Sequence, residues 1–385
     1  MAQSYSIEIL DRSREFVTPV NILVPIDTSN NTMHITFRLS NCGKCRFRVA
    51  TKDPLFETVG DVLEPWKYHV RVKREGTTIW QGVIVKNPIR NRKYVEVVAY
   101  SYLFILSKNL IRHDSSATPG DGRDNYRTFS SGTMSAAVTA LINEAKADVG
   151  TNNTISSITV GTIDNPNFPA NYTKVDNTPL TGAWTFSSDM TLQYDYRDTL
   201  YLIASMASYP ACDYELTNSL VFNFRTFLGT RQPKLCFKYG PNGNVLDYNI
   251  PRDGERMANS LMGVAADFGN QILHVEKADE ASVNTYGKIQ DVAAFIDVKN
   301  TNALRSRLTE ELRLISTPDS EIQLTLNNKA YPFGQYGIGD IVTVDIQDGV
   351  ISFKEQRRIV GVDIRVDNAG GDSVTLFTNR PKEGI

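Results

Sequence analysis

Gly339-Asp340-Ile341-Val342 is followed 22 residues on by Gly361-Val362-Asp363-Ile364 and 35 residues on by Val374-Thr375-Leu376-Phe377. The other end of the chain repeats the pattern with Gly60-Asp61-Val62-Leu63, Gly82-Val83-Ile84-Val85 and Val95-Glu96-Val97-Val98 at the same two offsets. One displacement of 279 residues aligns all three segments without a gap. Gly-Asp ahead of an apolar run suits a turn entering a strand, and a glycine within a strand permits a bulge or a sharp bend. The echo predicts two similar β-units at the ends of the chain, with α/β material between them.

Around the first unit, Ile35, Phe37 and Leu39 alternate up to Asn41-Cys42-Gly43-Lys44, and Phe47 and Val49 alternate away, which reads as a hairpin. Val70/Val72, Val83/Val85 and Tyr94–Val98 continue the strand pattern. Pro19, Pro25, Pro54, Pro65 and Pro88 confine the intervening segments to edges, turns or loops. Residues 114–128 are polar and rich in turn formers, and read as a linker or exposed loop. Met134, Ala137, Val138, Leu141, Ile142, Ala145 and Val149 then recur at helical spacing up to Gly150, with Thr133 or Ser131 as N-cap. Asp198 can cap a second helix through Leu200, Ile203, Ala204 and Ala207, which Pro210 stops. Residues 151–190, dense in Asn, Thr, Ser and Pro, read as loops and short strands, and Tyr214–Leu216 and Leu220–Phe224 as a hairpin about Thr217-Asn218-Ser219. A third helix, Asn302–Ile315, precedes Pro318, after which strands resume.

The chain has 385 residues, 41% of them hydrophobic and 22% charged, so it can bury a sizeable core without disulfide or metal staples. A net charge of −2 argues against nucleic-acid binding as the main task. It hides a tilt: residues 1–113 hold 17 Lys+Arg against 10 Asp+Glu, and the remaining 24 against 33 leave −9. The basic clusters Lys44–Arg48, Lys67–Arg74 and Lys86–Lys93 interleave with apolar residues, so the charges line strand faces. Such faces are either solvated or matched to an acidic ring on a neighbouring subunit. No apolar run approaches a membrane span, and the start has no secretion signal.

Motifs for catalysis are missing from the sequence: no nucleophile elbow, phosphate loop, His-Glu-x-x-His or dinucleotide fingerprint. His34, His69, His113 and His274 are scattered singly, and Glu310-Glu311 point to different sides of a helix. Cys42-Gly43-Lys44-Cys45 lacks a second pair for zinc, since Cys212 and Cys236 stand apart, and a hairpin turn is the wrong place for a redox motif. Asp121–Asn125 lacks the spacing of a calcium loop. The expectation is therefore no catalytic, cofactor or metal residue and no enzyme. Trp66, Trp80 and Trp184 leave open a glycan-binding module; Trp66 and Trp80 fall in strand patterns and are expected in the core, whereas Trp184 is the candidate for exposure.

Trp80-Gln-Gly-Val-Ile-Val, Val95-Glu-Val-Val-Ala-Tyr-Ser-Tyr-Leu-Phe-Ile-Leu-Ser, the helix from Asp198 with its hairpin to Leu220-Val-Phe, Ala258–Val264, Tyr286-Gly287, the Leu304–Leu314 helix and Gly339–Val344 leading to Arg358–Val362 follow in an order that resembles the baseplate hub or tail-tip (tail-associated) proteins of tailed bacteriophages. That family is related to the hubs of contractile injection machines. The resemblance covers nearly the whole chain. It implies a mainly β fold with an α+β insertion, in which 1–111 is a tube-like β-barrel, 112–250 an α/β middle domain with the loop-rich stretch 151–190, and 251–385 a second tube-like β-barrel carrying helix 302–315. It further implies a homotrimer that caps the six-fold tail tube and forms a gated channel in the virion tail tip, after synthesis in the bacterial host cytoplasm. Its partners would be a tail tube or distal tail protein, the tape-measure protein and a tip fibre or receptor-binding protein, with DNA only in transit. A fibre or peptidoglycan hydrolase, carried by many relatives, would have to come from a partner.

Overall fold

The computed structural model of the chain describes residues 5–60, 63–111, 127–129, 131–148, 154–168, 181–186, 192–194, 197–208, 211–251, 254–265, 272–295, 298, 301–318, 321–327, 331–349 and 351–381. The fold is mainly β. Fourteen strands form one sheet. Eight come from the N-terminal part: β1 (Tyr5–Leu10), β2 (Phe16–Val20), β3 (Leu23–Val24), β4 (Asn31–Arg38), β5 (Lys44–Ala50), β6 (His69–Arg74), β7 (Thr77–Lys86) and β8 (Tyr94–Ser101). Six come from the C-terminal part: β9 (Arg231–Tyr239), β10 (Val245–Asn249), β11 (Ile322–Leu326), β12 (Ile341–Asp348), β13 (Ile351–Asp367) and β14 (Asp372–Asn379). The main path runs β10-β11-β14-β13-β4-β5-β8-β7-β6-β1-β2, with β12 beside β13, β9 beside β12 and β3 beside β5.

The two sets of strands meet in one pairing. The second half of β13 pairs antiparallel with β4, Val362 opposite Phe37 and Ile364 opposite Ile35, while its first half pairs with β12. Side chains carry the junction further. Tyr5 Oη donates to Asp372 Oδ2 (2.6 Å), Arg74 Nη2 lies 3.3 Å from the same carboxylate, and Arg74 Nη1 donates to the Phe333 carbonyl (2.6 Å). One apolar core follows, shared by Ile9, Phe47 and Val97 from the first set and Phe237, Val344 and Leu376 from the second, all buried. Each such side chain contributes about 1.5–3 kcal/mol by leaving water. The alternation on β5 is regular, with Cys45, Phe47 and Val49 inward and Lys44, Arg46 and Arg48 outward.

No closed barrel is found among the described residues, and the two units share a sheet and a core; β3, two residues beyond β2, pairs with β5. The 279-residue echo fits two of its three segments. Gly82–Val85 with Val95–Val98 and Gly361–Ile364 with Val374–Phe377 are both successive antiparallel strands. The registers differ, since Val362 faces Leu376 whereas Val83 faces Tyr100 and not Val97. Gly60 follows the short helix α1 (Leu55–Val59) instead of opening a strand, so β6 takes the place that β12 holds in the other unit. A period of two tolerates such slips, because apolar alternation records the face of a residue and not its partner.

A second core lies under the middle of the chain. It gathers α2 (Met134–Asp148), α3 (Thr199–Ser208), the Tyr102–Lys108 turn, the strands Val221–Arg225 and Ser260–Ala265, and α5 (Thr301–Ile315) with Leu304, Leu308 and Leu312; α4 (Glu280–Tyr286) flanks it. The expected caps are present: Thr133 Oγ1 accepts from Ala136 N (3.2 Å) and Asp198 Oδ1 from Tyr201 N (2.9 Å). The expected hairpin is Asp213–Leu216 against Val221–Arg225. Val149, Gly150, Pro210, His113, the Asp121–Asn125 loop and most of the expected linker and of 169–190 lie outside the described residues.

Candidate functional site

The Gly-Asp motif that opens the second unit builds a joint with the middle of the chain. Gly339 has φ +92°, and a Cβ there would stand 2.2 Å from the Leu228 carbonyl oxygen; Gly229, at φ +95°, would likewise strike Gly339. Two backbones therefore cross with no side chain between them. Asp340 fastens the crossing, Oδ1 accepting from Thr230 N (2.7 Å) and Oδ2 from Gly337 N (2.8 Å). Beside it Arg358 is buried and fully engaged. It donates from Nη1 (3.2 Å) and Nη2 to Asp213, from Nη2 to the Leu228 carbonyl (2.8 Å) and from Nε to the Gly339 carbonyl (3.2 Å), and lies over the Phe227 ring. Removing one partner of such a pair strands a charge, at a cost of about 3–5 kcal/mol.

The basic clusters are mostly answered within the chain. Glu96 on β8 receives Arg46 (2.9 Å) and Arg48 (2.8 Å) from β5; Glu8 on β1 receives Arg71 (3.2 Å) and Lys73 (2.6 Å) from β6; Asp363 on β13 receives Arg38 (2.6 Å) from β4. Burial alone would raise the Glu96 and Asp363 pKa values, but hydrogen bonds and charges from the arginines, joined at Asp363 by His34, outweigh it and hold both below the usual carboxylate range. These are cross-strand ladders on the polar face of the sheet. A charge match to another subunit is thus left to the exposed β7–β8 loop, with Lys86, Arg92 and Lys93, and to the sheet ends.

The ends of the sheet are its open surfaces. Among the described residues β2 pairs with β1 alone; Phe16 is 55% exposed, Arg12 and Arg14 occupy the preceding turn, and Pro19 withholds one N–H. Asp53 holds the two residues between β2 and β3, accepting from Asn21 N (2.7 Å) and Ile22 N (2.5 Å), and also from Leu55 N at the start of α1 (2.9 Å). Among the described residues β10 pairs with β11 alone; Leu246 is 63% exposed, and Asp247 and Asp348 flank it. Every step of the path between these ends is antiparallel. Eleven strands make ten reversals, so β2 and β10 point the same way. Nothing in the sequence analysis singled out Phe16 or Leu246; an apolar residue in a short run next to charges was the available signal.

The residues that were singled out sit elsewhere. Cys45 is buried on β5 and Cys42 half-buried in the turn; burial pushes the Cys42 thiol up to about 11 and the Cys45 thiol higher still, so neither is a thiolate at neutral pH. Among the described residues no group of three or more metal-ligating side chains converges. His69 is buried with Nδ1 3.2 Å from Tyr102 Oη, and His34 lies by Asp363. The tryptophan expectations reverse at two positions. Trp184 is fully buried in the second core against Phe168, which removes the residue meant to stack on a glycan, whereas Trp66 is 41% exposed against Phe104; Trp80 is buried as expected. Among the described residues no helix is long and apolar enough to cross a membrane.

No protein-family model matches the sequence, and no curated protein does. Solved structures do. The chain is similar to a tail protein from Neisseria meningitidis MC58 (TM-score 0.59, 11% identity, 99% of this chain and 98% of that one). It is also similar to the 43 kDa tail protein of prophage MuSo2 from Shewanella oneidensis (0.59, 12%, 98% and 99%), and to a prophage tail protein from Listeria monocytogenes EGD-e (0.54, 12%, 98% and 95%). The fold of these tail proteins extends over nearly the whole chain, so the resemblance read from the order of sequence features holds at the level of fold.

Proposed function

We propose that this chain is a non-enzymatic structural protein of a phage-type tail tip, a trimeric baseplate hub that caps the tail tube in the virion. The reading is carried by a fold common to tail proteins and by its two outer strands, β2 and β10, same in direction and opposite in local charge, each with one strand partner among the described residues. In a rotational ring, a neighbour's β10 would lie parallel to β2, bringing Leu246 and Asp247 towards Phe16 and Arg12/Arg14. Such a contact is heterologous and closes only if the rotation does. Each chain would supply two tube-type units, one from 1–111 and one from 251–385 joined by strands 231–249, so three chains would offer six units to a six-fold tube. The channel would pass tape-measure protein and DNA, and a tube or distal tail protein and a tip fibre or receptor-binding protein would be neighbours. Light scattering with negative-stain imaging tests the reading. The native chain is expected as trimeric rings, alone or with tail-tube protein, and Phe16→Glu and Leu246→Glu each as folded monomers; a native chain that stays monomeric under both conditions rejects it.

A further inference from the structure

We propose that the turn Glu64–Lys67 is a two-state element, in which a flip of the Pro65–Trp66 peptide swings the Trp66 indole between its seat on Phe104 and a free position. This goes beyond the assembly reading and does not depend on it. Pro65 takes the second place of the turn, and Lys67 N donates to the Glu64 carbonyl (3.3 Å) to close it. Trp66, in the third place, has φ +65°. Proline second and a positive φ third make a type II turn, whose third place normally falls to glycine because a Cβ there crowds the following carbonyl oxygen. A bulky aromatic is among the residues least suited to it. Strain of this kind persists only where surrounding contacts hold it in place.

Two contacts hold the strained form. Trp66 N donates to the Ile84 carbonyl on β7 (2.8 Å), and the indole stacks on Phe104 with ring centroids 6.0 Å apart and planes 27° apart. Phe104 is steadied in turn by Tyr100, at 4.6 Å. The indole remains exposed, and the Glu64–Lys67 ion pair beside it, with both side chains more than half exposed, adds little. In a type I turn Pro65 keeps its φ and the closing Lys67–Glu64 hydrogen bond survives, while Trp66 moves to a negative φ free of strain. Its N–H then points away from Ile84 and its ring leaves Phe104. Relief of strain favours the flip by a factor of about ten, and each lost contact opposes it by a similar factor, which places the flipped form at about 1–10%. The flanks stay in place: Leu63 is fully buried with its carbonyl accepting from Asn87 Nδ2 (2.5 Å), and the Tyr68 carbonyl accepts from Ile84 N (3.0 Å). The motion is thus confined to the turn and leaves β6 and β7 undisturbed.

5-Fluorotryptophan incorporated into the chain reports on Trp66, Trp80 and Trp184 by ¹⁹F NMR, and the signal lost in Trp66→Ala is that of Trp66. Relaxation dispersion is expected to show microsecond-to-millisecond exchange at Trp66, with Trp80 and Trp184 static. Phe104→Leu, which removes the stack, is expected to raise the minor population severalfold. If that variant shifts the Trp80 or Trp184 signal, showing a disturbed fold, the dispersion of the native chain decides alone. Strain is read separately by comparing two variants that both lack the indole: Trp66→Gly is expected to unfold at a higher temperature than Trp66→Ala, because only glycine is at ease at this φ. A Trp66 signal without exchange, exchange shared by all three tryptophans, a minor population unmoved in a folded Phe104→Leu, or an alanine variant as stable as the glycine one would each overturn the proposal.

Discussion

His69 is a residue whose ionisation is coupled to folding. Burial lowers its pKa to about 4, the Arg14 charge adds to this and Arg12 adds less, while Asp11 opposes them. The unfolded chain takes up a proton near pH 6.5, so between 6.5 and 4 it binds more protons than the native one. Stability is therefore unaffected above 6.5 and falls as pH drops through that window, by about 3 kcal/mol in all. Urea unfolding of the native chain and of His69→Gln at pH 7 and pH 4.5 is expected to give a loss on acidification that is about 2–3 kcal/mol smaller in the variant; equal losses would refute the assignment. The sequence placed His69 in a strand pattern but could not tell a buried imidazole from an exposed one, since its partner Tyr102 and its neighbour Arg14 lie on other elements. The tryptophans make the same point. Trp184 sits in a polar stretch that reads as a loop, and its burial against Phe168 comes from tertiary packing that local composition does not encode.

Elements whose signal is local were legible. Thr133 and Asp198 announce the starts of α2 and α3, and Leu304, Leu308 and Leu312 place the apolar stripe of α5. That stripe meets Gly263 on Ser260–Ala265, where a Cβ would come within 2.7 Å of Leu308 Cδ1. The helix thus packs against bare backbone, and Leu308→Ala would open a gap that the strand cannot fill. The expected loss is about 2–5 kcal/mol, read as a lower unfolding midpoint at unchanged denaturant slope; less than about 1 kcal/mol would mean the contact is looser than drawn. Pairing between distant elements was not legible. The contact between β4 and β13 joins residues more than 300 positions apart, and both strands show the same alternation as their other neighbours. The echo at 279 residues exposed the likeness of the two units but not that they would share hydrogen bonds.

For the whole molecule, near-neutrality resolves in part into ladders that cancel internally, with further charges on exposed loops and at the ends of the sheet. Arg12 and Arg14 beside β2, and Asp247 and Asp348 beside β10, would guide neighbours into register and supply little of the final energy. Ring formation by dilution and mixing is accordingly expected to slow roughly tenfold between about 50 mM and 0.5 M salt, with the stoichiometry unchanged; a rate indifferent to salt would leave the apolar contacts at Phe16 and Leu246 as the sole guide. The mainly β character and the tail-protein order of elements were readable across the chain, whereas the sharing of one sheet by the two units was not, because nothing in a strand names its neighbour. The 17-residue strand β13 carries a mechanical consequence. Because the same backbone holds β12 along its first half and both β14 and β4 along its second, the two units cannot swivel about a flexible link. Torque applied to one must shear a row of parallel-loaded hydrogen bonds before the other can lag behind, so a chain of this design transmits rotation as a stiff coupling and not as a joint.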